Sequence, residues 1–153
     1  MSRTVRKGLK TRRRATFRSD AVRQVESRLQ QACVEWFRLQ YPRYYHNFFA
    51  VPNGGRKQLK WVRTRYGGMR QVCTEGARLK DEGVVAGVSD LLLLYPGRGF
   101  HGLCIEMKTT SKSSRQRDSQ KEFQKAVEDA GYMYVVVRTL EEFQKVVTWY
   151  LAA

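Results

Sequence analysis

Three residues near the middle of the chain have types and spacing that suit metal chemistry: Asp90, Glu106 and Lys108. Apolar runs on either side of the turn-forming residues Pro96-Gly97-Arg98-Gly99 predict two antiparallel strands. A turn centred on Arg98 pairs position 90 with position 106, since both lie eight residues away. Paired side chains sit about 4.5–5.5 Å apart and alternate residues share a face, so all three side chains converge. Two facing carboxylates repel unless a cation lies between them, and the pattern therefore predicts a metal site.

Each of these residues also has a simpler interpretation. Asp90 could be a turn residue at the start of a strand, and Glu106 with Lys108 could be an exposed ion pair. Neither interpretation explains why acidic residues are embedded in runs such as Leu91–Leu94, where unpaired charge is costly. The metal site is the hypothesis that accounts for all three together.

The composition favours a nucleic-acid partner. The chain has 153 residues, a formal net charge of +15 and a pI near 10.2, which is a large charge for what should be one domain. Such self-repulsion is most readily tolerated beside a polyanion. The sequence contains neither a membrane-spanning run nor a signal-peptide core, so we expect a soluble, cytoplasmic, DNA-associated protein that is not secreted and has no membrane partner. Three cysteines without C-x-x-C spacing favour a reducing compartment.

The first 18 residues form a distinct basic segment. They hold eight Lys or Arg residues and no acid, and the remaining 21 basic and 14 acidic residues leave the rest at +7. We interpret 1–18 as a disordered arm that contacts DNA; a mitochondrial targeting segment is the alternative. Residues 19–153 are predicted to form a single domain.

The rest of the chain predicts an α/β domain, a mixed sheet with helices against both faces. Residues 57–66 could be strand, helix or loop. The other predicted elements are a helix capped by Ser19 or Asp20 and running to about Gln40, a strand at 46–51, a helix at 69–82 ended by Gly83, the hairpin, a helix at 117–130, an interior strand at 132–137 covered on both faces, and a last helix opened by Thr139.

Several motifs in this order resemble the VRR-NUC branch of the PD-(D/E)XK nuclease superfamily. The resemblance spans roughly residues 22–143, and its strength lies in the combined order and spacing. The usual proline before the aspartate is replaced by Ser89. The matching pieces are Glu26-Ser27 with Leu29-Gln30, Pro52-Asn53-Gly54-Gly55, Gly83-x-x-x-Gly87-Val88-Ser89-Asp90, Ile105-Glu106-Met107-Lys108 and Gln120.

The resemblance implies Mg²⁺-dependent hydrolysis of DNA phosphodiester bonds, with Mn²⁺ as a substitute. Asp90, Glu106 and the Met107 carbonyl would be oxygen ligands, with Glu26 completing or adjusting the metal shell. Lys108 would position or deprotonate the attacking water and neutralise a phosphate oxygen. Gln120 would orient the water or a phosphate, although a polar residue at a helix start is an equally simple interpretation.

Candidate DNA contacts lie outside the carboxylate cluster. Asn53-Gly54-Gly55-Arg56-Lys57 could be a plain turn, or it could grip a phosphate through exposed backbone N–H groups beside cations. Trp61 and Tyr66 could be core residues or platforms for base stacking.

Three functions compete at the level of sequence. Stand-alone members of the resembled family imply a structure-selective endonuclease for branched DNA such as four-way junctions, often a homodimer. A non-catalytic basic nucleic-acid-binding protein would account for the charge but not for Glu26, Asp90 and Glu106. A nuclease that acts on RNA is the third.

Overall fold

The chain forms both helices and short strands, and the computed structural model describes residues 5–51, 59–110 and 116–152. No helix in these ranges is long and apolar enough to cross a membrane. The helices are α1 (Val5–Gln40), α2 (Thr74–Asp81), α3 (Asp118–Asp129) and α4 (Leu140–Leu151), and the strands are β1 (Phe48–Ala50), β2 (Leu59–Arg63), β3 (Met69–Cys73), β4 (Leu91–Leu93), β5 (Leu103–Met107) and β6 (Met133–Val137).

The main sheet has four strands in the order β1-β4-β5-β6, and β2 and β3 pair separately as a hairpin. β4 and β5 are antiparallel, with Leu91 opposite Ile105 and Leu93 opposite Leu103, so their register is centred on Arg98 as predicted. Arg98 itself adopts a φ of 52°, which the tight return of the chain requires. β6 runs parallel to β5, and the mixed α/β class is confirmed.

The two faces of the sheet are chemically different. One face packs against α1 and α4 and forms the apolar core. The buried members of this core are Cys33, Phe37, Tyr44, Phe48, Leu91, Leu93, Leu103, Ile105, Met107, Val137, Phe143, Val147 and Tyr150. The opposite face carries Glu106 and, on β6, Tyr134. Phe123 of α3 contacts the Tyr134 ring edge-on, with 6.4 Å between centroids, so α3 covers this second face. Helices therefore flank the sheet on both sides.

The first helix begins earlier than the sequence predicted. α1 starts at Val5, so the predicted helix start at Ser19 or Asp20 is wrong, and residues 5–18 belong to the same helix. The segment contains no proline and is rich in Arg and Lys, which are good helix formers, so nothing in it forces the helix to stop. The division of the chain into a basic arm and a domain stays a prediction.

Two further predictions were wrong in part. Met69–Cys73 is a strand, and the helix predicted from 69 begins only at Thr74, because a turn closed at Gly67 brings 69–73 back alongside β2. β6 is an edge strand of the sheet, whereas an interior strand was predicted. Its continuous apolar run reflects helices on both of its faces, and face coverage does not reveal how many strands lie beside it.

Candidate active site

Asp90 is held by backbone groups of the two strands beside it. Its carboxylate Oδ2 accepts a hydrogen bond from the Met107 backbone N–H at 2.8 Å. Its own carbonyl oxygen accepts one from the N–H of Val51, just beyond β1, at 2.9 Å. Extending the β4–β5 register by one residue places Asp90 opposite Glu106, on the same face of the pleat. The hairpin thus brings the two carboxylates together as the sequence predicted.

Glu106 is a buried carboxylate with one oxygen satisfied and one not. The residue is 1% exposed. Its Oε1 accepts from the Lys108 ammonium at 2.6 Å and from the side-chain amide of Gln120. Its Oε2 is buried and has no hydrogen-bond partner among the described residues. Burial first, and then the nearby charge of Asp90, raise the pKa of Glu106 to about 7. An ionised Glu106 is therefore short of positive charge in this setting.

Lys108 supplies part of that positive charge. It lies two residues after Glu106 on the same face, and its side chain is mostly buried against the carboxylate. Its backbone N–H donates to the carbonyl of Val137 at 3.0 Å, which continues the β5–β6 pairing beyond the strand. The ammonium is consequently fixed beside Glu106 by the sheet.

Gln120 comes from α3 and binds the same carboxylate oxygen. Its Nε2 donates to Glu106, while its Oε1 accepts from the backbone N–H of Arg117 at 2.9 Å. One side chain therefore both caps the start of α3 and orients Glu106. Both the oxygen and the nitrogen of the Gln120 amide therefore have hydrogen-bond partners, whereas capping the helix start needs only the oxygen.

Gly87 explains how the start of α3 can reach the site. A Cβ atom at Gly87 would lie 2.2 Å from the Ser119 carbonyl oxygen and 2.8 Å from the Gln120 nitrogen. Gly87 also has a φ of +90°, which L side chains rarely adopt. The loop that leads to Asp90 and the first turn of α3 can touch only because no side chain stands between them.

Glu26 is brought near the end of β5 but not into the carboxylate pair. Its Oε1 accepts from the backbone N–H of Thr109 at 3.4 Å, a long hydrogen bond. In the described ranges no three His, Cys, Asp or Glu side chains are grouped closely enough to hold one metal ion. The structure therefore assembles Asp90 and Glu106 as a pair, with Glu26 apart.

The pair offers the kind of donor atom that a hard divalent cation prefers. Carboxylate oxygens are preferred ligands of Mg²⁺ and Mn²⁺, and the buried, unpartnered Oε2 of Glu106 is the atom that such an ion would satisfy. Asp90, facing it, supplies the second anionic group. The residues present thus fit a divalent metal.

Tyr134 and Gln116 also lie at this site, and the sequence did not single them out. The Gln116 amide donates to the Tyr134 hydroxyl at 3.3 Å and to Gln124 at 3.0 Å. Burial, followed by the charge of Glu106, raises the pKa of the Tyr134 phenol. Tyr134 stands inside an apolar run, and only the pairing of Cys104 with Tyr134 puts it on the face of Glu106. The periodicity of side chains within one strand does not show which residue of the neighbouring strand lies opposite.

The DNA contacts predicted from the sequence have mixed outcomes. Asn53, Gly54, Gly55, Arg56 and Lys57 lie outside the described residues. Trp61 and Tyr66 are both exposed, so neither is a core residue.

The fold is similar to that of a solved VRR_NUC domain protein. The TM-score is 0.63 with 23% sequence identity, covering 83% of this chain and 88% of the other. Neither a scan against protein-family models nor a search of curated proteins finds a match to this sequence. The fold is therefore VRR-NUC-like, as the motifs predicted.

Proposed function

We propose that this chain is a metal-dependent endonuclease that hydrolyses DNA phosphodiester bonds at the site formed by Asp90, Glu106 and Lys108. The observation that carries the proposal is the buried Glu106 carboxylate, whose Oε2 has no partner among the described residues although Asp90 and Lys108 adjoin it. A purely structural carboxylate would be expected to have its buried oxygens satisfied. The VRR-NUC-like fold supports the same function.

Asp90, Glu106 and the backbone carbonyl of Met107 would hold Mg²⁺ or Mn²⁺. When bound, the ion lowers the pKa of a coordinated water and stabilises charge on phosphoryl oxygens. Glu26, whose carboxylate reaches the N–H of Thr109, would hold the chain that leaves β5 in position. It takes a supporting part in this proposal.

The neighbouring side chains would do the rest of the chemistry. The Lys108 ammonium, 2.6 Å from Glu106 Oε1, would position the attacking water and offset the negative charge of a non-bridging phosphate oxygen. Gln120 keeps the Glu106 carboxylate in one orientation through its own hydrogen bond. Precise orientation matters because misplacement of a reacting group by about 1 Å can cost roughly 100-fold in rate.

DNA is the proposed substrate, and branched DNA such as a four-way junction is the proposed preferred form. The net charge of +15 supports a polyanionic substrate. A homodimer with two-fold symmetry would present two active sites to two symmetric strands, which suits a junction.

A Mg²⁺-dependent cleavage panel tests the proposal: four-way junctions, flaps, forks and linear duplexes, with matched RNA versions. Glu106→Gln should lower cleavage by at least about 100-fold while leaving DNA affinity within about twofold. Glu122→Gln is the matched control, because Glu122 is an exposed residue of α3. Equal cleavage by the two variants would remove Glu106 from the mechanism. DNA binding without cleavage of any substrate would favour the non-catalytic alternative, and preferential cleavage of RNA would favour the ribonuclease.

A further inference from the structure

The β2–β3 hairpin ends in an ordered tip. The Thr64 N–H donates to the Gly68 carbonyl at 2.6 Å, and the Gly67 N–H donates to the Thr64 carbonyl at 3.0 Å. The Thr64 hydroxyl accepts from the Gly68 N–H at 3.0 Å, and Gly67 has a φ of +79°. The turn therefore holds Arg65 and Tyr66 at its apex in a defined conformation.

Aromatic and apolar side chains of this hairpin face outward. Tyr66 is 96% exposed, Trp61 61% and Met69 58%. The strand register places Trp61 and Met69 on one face and Val62, also exposed, on the other. Neither face of this hairpin is therefore buried in the core. A two-stranded hairpin is only marginally stable in water, and exposed apolar surface of this kind indicates a binding partner.

The charge of the hairpin identifies the class of partner. Arg63, Arg65 and Arg70 are exposed, and no acidic residue occurs between positions 56 and 73. Arginine pairs well with phosphate, and it stacks on planar rings. A basic surface interleaved with exposed aromatic rings is the combination that binds nucleic acid with accessible bases.

The hairpin is attached at the carboxylate end of the sheet. The chain leaves β1 at Val51, whose N–H is bonded to the Asp90 carbonyl, and returns to the sheet at Asp90 itself. β1 and β4 are antiparallel, with Ala50 opposite Leu91, so the exit and the return lie side by side. The hairpin is therefore an insertion rooted next to the proposed catalytic pair.

We propose that the distal hairpin, residues 61–70, engages DNA bases that are not stacked in a duplex, with Tyr66 and Trp61 stacking on them and the arginines contacting adjacent phosphates. The proposal rests on the proposed function and gives it a source of selectivity. A fork or junction exposes bases at the branch point, and stacking there would hold the branch beside Asp90 and Glu106. A continuous duplex offers no such bases.

The test is an affinity measurement with the full chain and no divalent metal, so that no cleavage occurs. Splayed forks carrying 2-aminopurine at the branch point are compared with linear duplexes of equal length. Because stacking contributes about 1–3 kcal/mol per base, Tyr66→Ala should weaken fork binding by about 5- to 150-fold and change duplex binding by less than about twofold. Tyr66→Phe should retain fork affinity and the change in 2-aminopurine fluorescence. Tyr45→Ala is the control. Tyr45 is also exposed, and the Arg38 guanidinium stacks on its ring, with the Arg38 Cζ 5.1 Å from the ring centroid.

Three outcomes would overturn the inference. Unchanged fork affinity in Tyr66→Ala would exclude stacking, and an equal loss on forks and duplexes would reduce the hairpin to a phosphate contact. A change of sedimentation coefficient with unchanged DNA affinity would assign the hairpin to a second copy of the chain. Binding is measured without catalysis, so failure of the endonuclease proposal would appear only in the cleavage panel.

Discussion

The carboxylate of Asp90 is bonded to the backbone N–H of Met107, 2.8 Å away, in the strand that carries Glu106. The position of one acidic group is thereby tied to the strand of the other. Burial, and after it the nearby charge of Asp90, raises the pKa of the Glu106 carboxylate. This relationship makes the two residues one electrostatic unit, and it leads to separable predictions.

Divalent-metal binding should depend on Asp90. Asp90→Asn keeps an oxygen that can accept from Met107, so the hairpin should stay intact while one negative charge is lost. We expect Mg²⁺ or Mn²⁺ affinity, measured by calorimetry, to fall by at least tenfold, about 1.4 kcal/mol. Asp129→Asn is the matched control, since Asp129 is exposed and paired with Lys125 on α3. Negligible binding by the wild-type protein would exclude the metal site.

The stability of the metal-free protein should fall as pH rises through the range set by Glu106. Its pKa is about 7 in the folded state against an ordinary value of 4.5 for a glutamate, so the folded protein holds an extra proton between these values. Stability therefore decreases as pH rises from about 4.5 to 7, by roughly 3 kcal/mol in total. Denaturant unfolding in a chelator at several pH values measures the effect.

Glu106→Gln is the control for this pH dependence, because it cannot titrate and keeps a similar shape. The wild-type protein minus the variant should isolate the Glu106 contribution, and Mg²⁺ should reduce the wild-type loss above pH 7 by replacing the proton. Parallel curves of stability against pH for the two proteins would mean that burial does not raise the pKa of Glu106.

Gly87 should be essential for the position of α3. Gly87→Ala puts a Cβ 2.2 Å from the backbone oxygen of Ser119, so either the loop or the first turn of α3 must move. Gly83→Ala is closely matched, because Gly83 has a φ of +91° but open space around its Cβ direction. Strain in the left-handed backbone should lower the stability of the control by about 1 kcal/mol. Gly87→Ala should lower the stability by at least about 2 kcal/mol. Equal losses in chemical denaturation would show that the close approach does not matter.

The register of the β4–β5 hairpin could be predicted because one local turn determines it. The number of residues on each side of Arg98 fixes which residues are paired, and alternation then fixes the face. Capping was equally local: the Thr139 hydroxyl accepts from the Glu142 N–H at 3.1 Å, and α4 begins there as predicted. Features that depend on a few neighbouring residues are readable in a sequence.

Contacts between distant segments were not readable in the same way. The contact of Gly87 with Ser119 and the place of Tyr134 beside Glu106 depend on packing between elements far apart in the chain. The strand at Met69–Cys73 was missed because its apolar spacing suits a helix as well, and only pairing with β2 decides between them. Tertiary context selects among local patterns that are individually ambiguous.

The basic segment at the start of α1 should supply much of the salt dependence of DNA binding. Each phosphate contact lowers the slope of log K against log salt by about 0.9, because a bound cation displaces condensed counterions. Replacing the eight basic residues of 1–18 by glutamine keeps helix propensity and removes only charge. If half of them touch phosphates, the slope should flatten by roughly 4.

Deletion of residues 2–18 should give the same change, since Ser19 or Asp20 can cap the shortened helix. Mg²⁺-dependent cleavage at low salt should persist in both variants, because the carboxylate pair lies far along the chain. An unchanged slope would show that this segment does not touch DNA, and a flattened slope in the deletion alone would trace the effect to helix length rather than charge.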